Sequence, residues 1–155
     1  MNTKGATSID PAAAAELGAE RERVLSRFGQ AWGAANVDAL MSLMTEDCIY
    51  SASVGPEPGR TFIGKAAVRE GFRSMLAYDA GGESREGRCV VAGDVGIVEW
   101  SYVHTHKGGC QLQVRGCDII EFRSALIFRK DAFRKCMVLH ADDGRTSLTP
   151  LLVVR

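Results

Sequence analysis

Apolar residues keep a helical period through most of the first half of the chain and a period of two through the second. From Ala12 to about Ala35, Leu17, Val24, Leu25, Phe28, Ala31 and Trp32 recur at the spacing of one helix face. Asp10-Pro11 supplies a cap and a first-turn proline, and Asn36 breaks the run. Val37 to Met44 predicts a second, short helix with Leu40, Leu43 and Met44 inward. Cys48 to Val54 reads as a strand, and Gly55-Pro56-Glu57-Pro58-Gly59 as a rigid loop. A third helix is expected from Lys65 to about Tyr78, burying Val68, Phe72, Met75 and Leu76. Strands follow near 84–92, 95–106, 110–123 and 126–139, with hairpin turns at Gly93-Asp94 and Lys107-Gly108-Gly109. Helices followed by an antiparallel meander imply an α+β fold, its helices packed on one face of a curved sheet.

The last two strands, VRGCDIIEFRSALIFRKDAFRK, each hold a carboxylate among apolar neighbours: Asp118 on the first and Asp131 on the second. An ionised acid is costly to bury, so such a residue serves chemistry, a ligand or a buried partner. Strand residues alternate between faces. If Asp118 points inward, so do Val114, Gly116, Ile120 and Phe122, while Arg115, Cys117, Ile119 and Glu121 point outward.

The 155 residues suit one domain with one substantial core: a flexible segment 1–9, a domain over 10–139, and a tail over 140–155 that ends apolar. Lys+Arg and Asp+Glu balance at 19 each, which leaves no net field to attract nucleic acid or an anionic membrane. No stretch is long and apolar enough to span a bilayer, and the first twenty residues lack the apolar core of a signal peptide. The five cysteines are odd in number and show no CxxC spacing, so a reducing cytoplasm is expected, with no disulfide scaffold. His104 and His106 have the spacing of two metal ligands on one strand face, but no third ligand lies near, and no metal or cofactor is expected.

The order of elements, with the phrases AWGAANVDALMSLMTEDCIY, SVGPEPGRTFIGKAAVREGF and GCDIIEFRSALIFRKDAFRK, resembles the nuclear transport factor 2-like superfamily, and within it the branch of ketosteroid isomerase and the SnoaL-type polyketide cyclases. The resemblance covers about residues 24–138. It implies a cone: a strongly bent antiparallel sheet with about three helices packed on its concave side, around a pocket for a small hydrophobic molecule. It also implies a homodimer formed through the outer sheet face. In ketosteroid isomerase an Asp base works against an oxyanion hole made of a Tyr and a protonated Asp. Position by position the base falls at Ala52 and the tyrosine at Phe28, so only Asp118 has a counterpart, and that mechanism is not expected. Limonene epoxide hydrolases use an Asp–Arg–Asp set. Asp131 matches their last-strand acid, but Glu99-Trp100-Ser101 stands where the Arg-x-Asp pair would be. In the polyketide cyclases an acid near the Asp131 position serves as acid/base.

The family alignment also assigns faces. It places Val98, Trp100, Tyr102 and His104 inward on one strand, and Arg129, Asp131 and Phe133 inward on the last. Tyr50 and Ala52 face the cone from the first strand, and Phe28 and Trp32 close it from the first helix. The expected site is an apolar lining with a few polar groups, the usual make-up of a small-molecule pocket. Asp131, Asp118, His104 and Tyr50 are the catalytic candidates, with Arg129 tuning charge. Plain structural roles compete: Asp118 as a cap for backbone groups or a partner of Arg129, and Asp131 as a member of a surface ion pair. Two functions follow. One is a cofactor-free isomerase, cyclase, dehydratase or epoxide hydrolase. The other is a non-catalytic binding or dimeric interaction module.

Overall fold

The computed structural model describes residues 10–56, 59–85, 87–105 and 111–139. The expectations for residues 1–9, His106, Cys110 and the 140–155 tail lie outside these. Helix α1 (Pro11–Gly33) begins where Asp10 accepts a hydrogen bond from the Ala12 amide at 3.1 Å, with Pro11 in its first turn. Its opening turns are exposed, and Val24, Leu25, Phe28 and Ala31 are buried further along. Asn36 caps α2 (Val37–Ser42), accepting from the Ala39 amide at 3.0 Å. Helix α3 (Lys65–Tyr78) buries Val68, Gly71, Phe72 and Met75.

The strands are β1 (Met44–Ser51), β2 (Thr61–Ile63), β3 (Glu83–Arg85), β4 (Cys89–Ala92), β5 (Val95–Thr105), β6 (Gln111–Arg123) and β7 (Leu126–Leu139). They form one curved, unclosed sheet in the order β2-β1-β7-β6-β5-β3, with β4 also paired to β5. The expected strand at 84–92 is two strands laid along successive parts of β5, divided near Gly87, where an added Cβ would stand 1.9 Å from the Glu99 carbonyl oxygen. The sheet is not wholly antiparallel, because β1 runs parallel to β7 and joins the helical half to the meander. All three helices pack on the curved sheet. Phe72 sits at the centre of the core, with its ring 4.9 Å from Tyr50, 5.3 Å from Trp32 and 5.8 Å from Phe28.

Buried Arg21 fastens α1 to two hairpin turns. Its Nε donates to the Ser124 carbonyl at 2.8 Å and its Nη1 to the Gly93 carbonyl at 2.6 Å. Both accepting residues have positive φ, 51° and 58°, and the arginine holds those turns in place.

A bulge in β7 decides what the cone contains. Phe122 pairs with Ile127, but the preceding Glu121 pairs with Arg129, so Phe128 is an extra residue. One inserted residue reverses the alternation beyond it. Ile127 faces the core, and past the bulge Lys130, Ala132 and Arg134 face it too. Arg129, Asp131 and Phe133 are thereby turned to the outer face, which corrects the inward placement expected for all three. Asp131 is paired there with Arg129 at 3.0 Å, and Phe133 is 51% exposed.

Candidate functional site

On β6 the inward set is as expected, with Val114, Asp118, Ile120 and Phe122 all buried. Asp118 lies between Val98 of β5 and Ala132 of β7. Its partner is Lys130, whose Nζ is 2.7 Å from Oδ1, with side chains 10% and 4% exposed respectively. The ammonium also stands 5.1 Å from the Trp32 ring centroid and 5.2 Å from that of Tyr50, within range of cation–π attraction. The contact is an ion pair without hydrogen-bond geometry, and among the described residues Oδ1 makes no hydrogen bond. The same holds for the buried Nε1 of Trp100 on the same wall. Trp100 pairs with Gly116, where an added Cβ would be 2.2 Å from the indole, so the ring lies across β6 only because that residue is glycine.

A second polar cluster is centred on Arg134. Its guanidinium donates to Asp79 Oδ2 at 3.2 Å, to the Tyr102 hydroxyl at 3.0 Å and to Ser53 Oγ at 2.7 Å. Tyr102 in turn donates to Asp79 Oδ1 at 2.6 Å, and the Met75 sulfur lies 3.3 Å from the guanidinium. One side chain thus joins β7, β5, the end of α3 and the segment after β1. His104 is set edge-on against Tyr102, with ring centroids 5.1 Å apart.

Burial pushes the Tyr50 phenol well above its ordinary range, and the negative charge of Asp118 adds to the shift. Tyr102 is raised by burial and by its hydrogen bond to Asp79. A raised phenol favours the folded state only while protonated. That stabilisation is complete below the unfolded value of about 10 and is lost as pH rises toward the folded one. Urea melts are therefore expected to show stability falling above pH ~10, and Tyr50→Phe should flatten that fall. An unchanged slope in the variant would remove Tyr50 from the account.

A cleft of 220 Å³ opens beside this wall, lined by Ala52, Val54, Arg60, Phe62, Met75 and Tyr78, among others. Ala52 and Met75 belong both to the cleft and to the buried core. A larger depression of 310 Å³ lies along α1 at Ala13, Glu16 and Glu20 and shares no residue with either polar cluster.

Of the expected residues, Tyr50 and Trp32 meet Asp118 around Lys130 with Val98 beside it on β5, Ile120 is core, and Trp100, Tyr102 and His104 pack in series along β5 toward Arg134. Phe28, Ala52 and Phe122 serve as core. Sequence reasoning missed Lys130, Arg134, Asp79 and Ser53. The available signal was Asp118 itself, since a buried carboxylate calls for a cation. Asp79 lies just past the expected end of the third helix, where an acid carries no mark of a partner.

No protein of curated function matches the chain. Solved structures are similar in fold. A nuclear transport factor 2-like protein of unknown function from Mesorhizobium loti has a TM-score of 0.64 at 21% identity, over 76% of this chain and 93% of that one. The epoxide hydrolase/cyclase-like enzyme SalBIII, of pyran ring formation in the polyether salinomycin, gives 0.60 at 18% over 74% and 90%. A protein of ketosteroid isomerase-like fold from Catenulispora acidiphila, solved with trimethylamine, gives 0.55 at 21% over 71% and 83%. The family model described as the SnoaL-like domain matches residues 25–130. That match spans most of the chain, from the core of α1 to the lysine of the buried pair, and the chain belongs to the SnoaL-like family of nuclear transport factor 2-like folds.

Proposed function

We propose that this chain is an acid/base enzyme, needing no bound cofactor, that acts on a small hydrophobic molecule bearing a carbonyl or an epoxide. The observation that carries the reading is the buried Asp118–Lys130 pair, facing inward among aromatic rings. Asp118 carries the proton, Lys130 offsets negative charge as it develops on the substrate oxygen, and neutral Tyr50 contributes a phenol beside them. The cleft past Ala52 and Met75 is the entry, and the Arg134 cluster holds its rim. Asp131 has no part, because it stands on the outer face.

The test is proton exchange. Wild-type protein incubated with 1-indanone in D₂O is expected to speed loss of the α-proton signal, and Asp118→Asn to lower that rate about 100-fold with the fold retained. A rate equal to that of buffer, or one untouched by Asp118→Asn, would sink the proposal.

A homodimer through the outer sheet face is supported by exposed Ile97, Ile119 and Phe133 on neighbouring strands. Light scattering is expected to give twice the chain mass, and Phe133→Asp half of that value. A wild-type monomer at micromolar concentration would refute it. The free thiols of Cys48, Cys89, Cys117 and Cys136 support a reducing, cytoplasmic setting. Among the described residues no helix is long and apolar enough to cross a membrane.

A further inference from the structure

We infer that Lys130 is a nucleophile whose amine captures small apolar aldehydes or ketones as an imine, with Asp118 relaying the protons. This deepens the acid/base reading and rests on it for the location of the site.

Three observations carry it. Lys130 is a buried amine on the cone wall, whereas Lys65 is a surface lysine paired with Glu46 at 2.6 Å. A lysine removed from water is the kind that serves in Schiff-base chemistry. Its neighbour is a carboxylate whose Oδ1 lies 2.7 Å from Nζ, a distance for direct proton transfer between the two groups. The rings of Trp32 and Tyr50, 5.1 and 5.2 Å from Nζ, offer an apolar bed. For a carbonyl compound, entry from the cleft that Ala52 and Met75 share with the core requires these side chains to part, and the unbranched Met75 is the one best able to move aside.

The chemistry balances without a further reagent. Lys130 passes one proton from Nζ to Asp118, leaving an amine beside a carboxylic acid. The Nζ lone pair adds to the carbonyl carbon as the carbonyl π bond breaks, and the oxygen takes the proton from Asp118. Asp118 then removes a proton from the nitrogen and delivers it to the hydroxyl, which leaves as water while the C=N bond forms. The sum is an ammonium plus a carbonyl giving a protonated imine plus water, with nothing oxidised or reduced. The positive charge ends where it began, facing Asp118, so the buried pair persists through the adduct.

Wild-type protein is treated with benzaldehyde and sodium cyanoborohydride, and the labelled lysines are mapped by peptide mass spectrometry. Lys130 is expected to carry the benzyl group at least about tenfold faster than Lys65 or Lys135, and Asp118→Asn to slow its labelling. Lys130 left unlabelled, or labelled no faster than Lys65, overturns the inference, and the wild type alone decides this if the variant does not fold. Exchange that depends on Asp118 while Lys130 stays unlabelled removes the imine and keeps the acid/base reading. Labelled Lys130 without any exchange keeps the imine and removes that reading.

Discussion

Lys130→Met is expected to lower the unfolding free energy by about 3–5 kcal/mol in urea melts at neutral pH. Methionine keeps most of the stem that packs against Trp32 and Tyr50, so little of the loss comes from a void. The loss comes from Asp118, which is left at 10% side-chain exposure with its cation removed. The double variant Lys130→Met with Asp118→Leu removes both charges and is expected to recover most of the loss. A buried pair often contributes little compared with apolar residues of similar volume, yet costs much when only half of it is deleted. A single-variant loss below about 1 kcal/mol would mean that water reaches Asp118 and screens its charge.

Arg134→Leu is expected to cost about 2–4 kcal/mol. The arginine is the shared donor for Asp79, Tyr102 and Ser53, and it spans the Tyr78 and Trp100 rings at 5.5 Å from each. Leucine would leave Asp79 with the Tyr102 hydroxyl as its remaining partner in this cluster. Asp79→Asn should cost less, because an amide oxygen still accepts from both Arg134 and Tyr102. A double-mutant cycle between positions 134 and 79 is expected to show coupling of about 1–3 kcal/mol. Additive losses would show that the arginine acts through packing alone.

Much of the architecture was legible because it is written locally. Asp10-Pro11 and Asn36 mark helix starts through their own hydrogen bonds, and the alternation around Asp118 survives on β6 because no bulge interrupts it. β7 was not legible. Two alternating sets compete there: Ile127, Arg129, Asp131 and Phe133 against Phe128, Lys130, Ala132 and Arg134. The first is apolar at both ends, Ile127 and Phe133, so periodicity favours the wrong face. The outcome is set by contacts far away in the sequence, where Asp118 takes a cation and the lysine stem lies against Trp32 and Tyr50. The parallel pairing of β1 with β7 likewise has no local mark, since these strands lie far apart in the chain. The candidate site was therefore found through Asp118, and its partner stands one residue after Arg129, the cation expected to pair with it.

The extra residue at Phe128 ties the lining of the interior to the composition of the outer surface. Removing that residue would straighten β7 and leave Lys130 and Arg134 facing inward, because Arg129 already pairs with Glu121 and Lys130 with Ile120. Keeping it but pairing it with Glu121 would turn the strand over, withdrawing Lys130 and Arg134 and offering Arg129, Asp131 and Phe133 to the interior. One choice of register at a hairpin shoulder therefore decides both surfaces together, where point substitutions would have to alter each in turn.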